Sequence, residues 1–196
     1  MCSTKLSPIP KPVAIFHRFI AQKTETLALK EKISLHGDSF EVKLASGQPI
    51  LRVEGKFMTI SGRKSVYDMA SNHLFDIVKE HLHLHTTFAA HDHDGNRLLE
   101  VKSNFKFFGS KAIATFTSPR TGRTGILKMN GNWLDSVAEI VDEATGSVVA
   151  RIDRKLFRGR DVFFGQQTYA VLVAPGVDMA LIAAMCICFD EKNNEN

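Results

Sequence analysis

Residues 179 to 189 read Met-Ala-Leu-Ile-Ala-Ala-Met-Cys-Ile-Cys-Phe, eleven apolar residues in succession near the end of a chain of 196. Ala, Leu and Met are good helix formers, Asp178 stands where a capping carboxylate belongs, and Asp190-Glu191-Lys192-Asn193-Asn194 restores polarity. The pattern predicts a helix over about 177–189 that is apolar on every side. Such a helix has to be surrounded, either by lipid or by protein. Eleven residues rise about 16 Å against a hydrocarbon core of about 30 Å, so no transmembrane span is expected and the rest of the chain must enclose it. Met179, Leu181, Ile182, Met185, Ile187 and Phe189 at about 1.5 to 3 kcal/mol each give about 10 to 20 kcal/mol of gross burial, comparable with the net stability of a whole domain.

The remainder of the sequence offers strands for that enclosure. Short runs are punctuated by turn residues at Gly37-Asp38, Ser46-Gly47, Gly62, Ser71-Asn72, Asp94-Gly95, Asn130-Gly131-Asn132, Thr145-Gly146 and Gly159. Within the runs, Phe40, Val42 and Leu44 alternate with Glu41 and Lys43, and Leu99, Val101, Phe105 and Phe107 alternate with Glu100, Lys102, Asn104 and Lys106. One face of each strand is therefore wet and the other buried. The absence of a long amphipathic helix between the turns argues against a parallel βαβ sheet. These features predict a mainly β fold: a closed antiparallel barrel of about twelve strands around a central hydrophobic C-terminal helix. A Pro-rich extended lead (1–12, with Pro8, Pro10 and Pro12), one domain over 13–191 and a polar tail at 192–196 complete the expected organisation.

Gly-Gln-Gln-Thr-Tyr-Ala-Val (165–171) followed by Ala-Pro-Gly-Val-Asp-Met-Ala-Leu-Ile-Ala (174–183) resembles the LURP-one-related family, as do Gly62-Arg63-Lys64-Ser65, Leu82-His83-Leu84-His85 and Gly131-Asn132-Trp133. The resemblance runs from about Val13 to Glu191, and its most specific element is the Pro-Gly-Val-Asp entry to the apolar helix. It implies a tubby C-terminal-like fold, shared with tubby proteins and phospholipid scramblases. It also implies, by analogy of fold alone, a link to phosphoinositides or membranes.

Motifs for catalysis are weak. Gly37-Asp38-Ser39-Phe40 has no glycine-flanked serine elbow, Gly62-Arg63-Lys64-Ser65 lacks the upstream glycine of a phosphate loop, and both read as hairpin turns. Cys186 and Cys188 sit in apolar surroundings that keep thiols protonated, and with Cys2 they form an odd, sparse set unsuited to a disulfide framework. His81, His83 and His85 share one strand face, with His91 and His93 beyond, but a row of histidines rarely converges on a metal. Asp92-His93-Asp94-Gly95-Asn96 lacks the ligands of a calcium loop. No metal and no cofactor is expected.

The net charge of +4 is uneven: residues 97 to 160 hold twelve Lys and Arg against six Asp and Glu. Arg151, Arg154, Lys155, Arg158 and Arg160, with Phe157 among them, form the candidate headgroup site for an anionic phospholipid. Nucleic acid is the weaker anionic partner, because Tyr67, Trp133 and Tyr169 do not interleave with that basic stretch. The N-terminus carries no apolar signal core, which points to the cytoplasm, with nuclear or peripheral membrane residence as alternatives. The sequence thus predicts a non-enzymatic binding or scaffold protein. The alternatives are a protein-interaction or membrane-tethered, transcription-linked regulator with a protein partner, and an enzyme whose site no motif reveals.

Overall fold

Alternation leaves each strand one face to bury, and the chain repeats it until the sheet meets its own beginning. The computed structural model describes residues 5–32, 39–55, 62–80, 87–105, 110–131, 137–153 and 168–193. They form strands β1 (Glu25–Lys32), β2 (Ser39–Leu44), β3 (Pro49–Gly55), β4 (Lys64–Asp68), β5 (His73–Glu80), β6 (Thr87–His91), β7 (Arg97–Phe105), β8 (Ser110–Thr117), β9 (Thr124–Gly131), β10 (Val137–Asp142), β11 (Val148–Asp153) and β12 (Thr168–Val173), then helix α1 (Met179–Asn193). Each strand pairs antiparallel with its neighbours in sequence. β1 also pairs with β12, Leu27 opposite Val171, and this closes the barrel. The expected barrel and its C-terminal helix are both present.

Inward-facing Leu27, Leu29, Phe40, Val42, Leu51, Val53, Phe75, Ile77, Leu99, Leu127 and Ile140 are at most 1% exposed. Every residue from Ala180 to Asp190 is buried as well, so the helix is enclosed on all sides. Ala180, Ala183 and Ala184 are buried with Leu181, Ile182, Met185, Ile187 and Phe189, and the larger side chains supply most of the packed volume. Of the six large side chains expected inside, Met179 is only partly covered, because it belongs to the first turn of the helix at the mouth of the barrel. The helix also differs in extent from the expected 177–189. Val177 bridges to Val13, in the described segment ahead of β1 (5–24, hereafter the lead, longer than the Pro-rich 1–12), and is unavailable to the helix, whereas Asp190 and Glu191 continue it. Polarity ends the apolar run but does not break the helical backbone.

Both ends of α1 are fixed. At its start, Asp178 Oδ1 accepts from the N–H groups of Ala180 (2.8 Å) and Leu181 (3.4 Å), and Oδ2 accepts from Ile15 (3.0 Å) and Phe16 (2.7 Å). The predicted cap is therefore also the clasp that holds the lead. Residues 9–21 wrap the helix entry through Ile9 N–H to Pro175 O, Val13 N–H to Gly176 O and Ala21 N–H to Val177 O. Gly176 has φ +92°, and a Cβ there would meet Ile9 Cγ1 at 2.7 Å, so only glycine allows this approach. At the other end Lys64, which shares the inward parity of Val66, places Nζ 2.9 Å from Glu191 Oε1 and 5.2 Å from the Phe40 ring centre. Lys64→Ala is expected to lower stability by about 3 kcal/mol, and Lys64→Met by less because it keeps the stem. Urea unfolding of the two variants measures the difference.

Up-and-down topology sends the connections 45–48, 69–72, 92–96, 118–123, 143–147 and 174–178 to one end of the barrel, the turn end. Two of these turns are built alike. Asp68 Oδ1 accepts from the N–H groups of Ala70 and Asn72 and its Oδ2 from Asn72 Nδ2, and Asp92 repeats the arrangement with Asp94 and Asn96. The Asn72 contacts outweigh burial and hold the Asp68 carboxyl below its ordinary range. Asp92, read in the sequence against a calcium loop, spends its oxygens on its own turn.

Candidate functional site

The lead does more than cover the helix entry. Where it passes the β8–β9 and β10–β11 turns it leaves a cleft of about 230 Å3. Lys11 and His17 enter from the lead, Ser118 and Arg123 from the 118–123 turn, and Asp142 from the end of β10. Phe116 forms part of the wall. A Cβ on Gly125 would lie 2.5 Å from the Phe116 ring, so the glycine is what lets that ring lie across β9.

The electrostatics of the cleft are unlike those of the barrel wall. On the wall, three exposed cations have carboxylate partners: Arg97 reaches Glu80 at 2.8 Å, Lys102 reaches Glu100 at 2.8 Å and Arg52 reaches Glu54 at 3.0 Å. Lys11, Arg120 and Arg123 make no ion pair among the described residues. Asp142 is buried, and its Oδ2 accepts from Thr145 Oγ1 at 2.6 Å. Ser118 is 4% exposed, and its Oγ has no hydrogen-bond partner among the described residues. A buried hydroxyl in that state costs about 1 to 3 kcal/mol.

The residues singled out in the sequence are distributed differently. Arg151 lies on β11, where Nη2 and Nε donate to Glu139 Oε1 on β10 at 2.8 and 3.0 Å, so its guanidinium is engaged across the strand pair. Arg154, Lys155, Arg158 and Arg160 lie outside the described residues, as do His81, His83 and His85. His91 stands 3.9 Å from Glu80, and His93 3.0 Å from Asp94. The Gly62–Ser65 segment, expected as a hairpin turn, reaches into β4: Lys64 faces inward and Ser65 Oγ donates to Asp76 at 2.6 Å. Cys186 and Cys188 are buried, and burial, reinforced by the Glu191 charge, pushes the Cys188 thiol far up.

Sequence reasoning missed the cleft because Lys11 and Arg123 are more than a hundred positions apart. One local signal was legible. Ser118-Pro119-Arg120-Thr121-Gly122-Arg123 is a turn in which two arginines occur without an acidic neighbour, unlike the Asp-bearing turns at 92–96 and 142–147.

A closed twelve-stranded antiparallel barrel filled by its own C-terminal helix defines the fold class of this protein. The family model for LURP-one-related proteins matches residues 25–190, and the chain belongs to that family. Protein LURP-one-related 15 of Arabidopsis thaliana is 30% identical over 69 residues, a stretch that covers 35% of this chain and 31% of that protein. The match thus spans about a third of the curated relative's length. An X-ray structure of a protein from Arabidopsis thaliana shares the fold with a TM-score of 0.57 at 14% identity, covering 93% of this chain and 99% of the other.

Proposed function

We propose that this LURP-one-related protein is a non-enzymatic binding module that attaches peripherally to phosphoinositide-bearing membrane surfaces in the cytoplasm. The observation that carries this reading is the filled interior. Ala180 to Phe189 are each at most 2% exposed, so α1 takes the volume a barrel otherwise gives to a ligand. Partners meet the outside, and the excess of basic residues over 97–160 favours an anionic one. No described helix is long and apolar enough to cross a membrane.

Co-sedimentation with phosphatidylcholine liposomes, with and without phosphatidylinositol bisphosphate, tests the reading at low and physiological salt. Binding is expected to require the phosphoinositide and to fall at least tenfold when Arg154, Lys155 and Arg158 are changed together to Ala, since each basic residue near the leaflet contributes about 1 kcal/mol. Retention by neither liposome sinks it. A second reading, attachment to a protein partner, is favoured by Ile113 (46% exposed) and Ile126 (36%), which lie diagonally across β8 and β9 on the outer face.

A further inference from the structure

We propose that the turn-end cleft is a binding site for a phosphomonoester carried on a hydroxylated body, either a free polyol phosphate or the headgroup of a lipid. This goes beyond the membrane reading and rests on different residues. Arg123 lies in a turn-end connection, whereas Arg154, Lys155, Arg158 and Arg160 lie outside the described residues.

Two lines of evidence converge. Lys11 and Arg123 come from distant parts of the chain to one cleft and neither has an ion-pair partner among the described residues, whereas wall cations such as Arg97 and Lys102 are paired. Cations gathered in this way match a group carrying close to two negative charges, and the guanidinium fork suits phosphate oxygens in particular. Independently, Ser118 keeps a buried hydroxyl without a partner in the wall of the same cleft. Rotation of that short side chain about χ1 lets it donate to an oxygen bound there.

The remaining features define the body of the ligand. A cleft of about 230 Å3 has room for a phosphate and a small ring or short chain. Asp142 repels a bare anion but accepts from hydroxyl groups, and Thr145 occupies only one of its oxygens. A carboxylate beside two cations therefore selects a ligand with phosphate at one end and hydroxyls at the other. Phe116 and Pro12 offer the apolar surface against which the carbon skeleton rests.

The test is an NMR titration of the full chain with myo-inositol 1-phosphate, alongside sedimentation with phosphatidylcholine vesicles with and without phosphatidylinositol 4-phosphate. Arg123→Gln, Lys11→Gln and Ser118→Ala are compared with wild type. Saturable binding of myo-inositol 1-phosphate is expected, weakened at least tenfold by Arg123→Gln and several-fold by Lys11→Gln. Ser118→Ala is expected to weaken binding several-fold while the melting temperature of the free protein stays the same or rises, a combination that a purely structural serine does not produce. Binding confined to the phosphoinositide vesicles, with the same dependence on Arg123 and Ser118, assigns the ligand to lipid. Absence of saturable binding to both probes overturns the proposal, as does binding indifferent to Arg123→Gln and Ser118→Ala, or equal binding of sulfate. Vesicle binding lost only in the Arg154, Lys155 and Arg158 variant leaves the membrane reading standing and removes this one.

Discussion

A chain ending at Gly176 is expected to be an aggregating, dye-binding polypeptide with no cooperative melt. The truncation removes Leu181, Ile182, Met185, Ile187 and Phe189, all at most 1% exposed. At about 1.5 to 3 kcal/mol each they represent about 8 to 15 kcal/mol of burial, against a typical net stability of about 5 to 15 kcal/mol. The loss is larger than this figure, because the inner faces of the strands packed on the helix become exposed at the same time. A barrel with an apolar lumen cannot collapse to fill the space without rearranging its strand pairing. Size exclusion, circular dichroism and thermal melting of the truncated chain give the answer, and a soluble monomer with a sharp transition would show that the helix is dispensable.

Asp178→Ala is expected to be the most damaging single substitution at the mouth of the barrel, lowering stability by about 4 kcal/mol or more. Its carboxylate serves four backbone N–H groups, two of the helix and two of the lead, in a fully buried position. Each buried donor left unsatisfied costs about 1 to 3 kcal/mol. Asp178→Asn keeps one acceptor oxygen and turns an amide NH2 toward the other pair of donors, so its effect is expected to lie between those of wild type and Ala.

The same site gives a pH signature. Burial pushes the Asp178 carboxyl up to about 6, with the four N–H groups opposing the shift. Its folded value lies above its unfolded one, so between about pH 4 and pH 6 the native state holds more protons and stability falls as the pH rises, by up to about 3 kcal/mol from this group. The advantage of wild type over Asp178→Asn is therefore expected to narrow as the pH rises through that window and to stay level above it. Urea unfolding of both proteins from pH 4 to pH 7 measures the gap, and groups common to the two cancel.

Most of the architecture is legible in the sequence. An eleven-residue run without a polar face has one solution in a protein of this kind, and alternation with glycine-marked turns supplies the strands to enclose it. The Asp178 cap was legible for the same reason: it depends on residues two and three positions away. Helix length was less so, because Glu191 is held by Lys64, and nothing in the 62–65 segment announces that its lysine turns inward. Read locally, that segment resembled a hairpin turn.

The sequence by itself determined which faces are apolar, where the chain turns, and that the last segment must be enclosed, because these follow from short-range periodicity and the cost of exposing hydrocarbon. Only the tertiary structure decided that Asp178 clasps the lead, that Lys64 pins the far end of the helix, and that Lys11 meets Arg123 and Ser118 at one cleft. Those contacts join residues far apart in the chain, and their energies depend on burial and distance, which exist only once the barrel has closed.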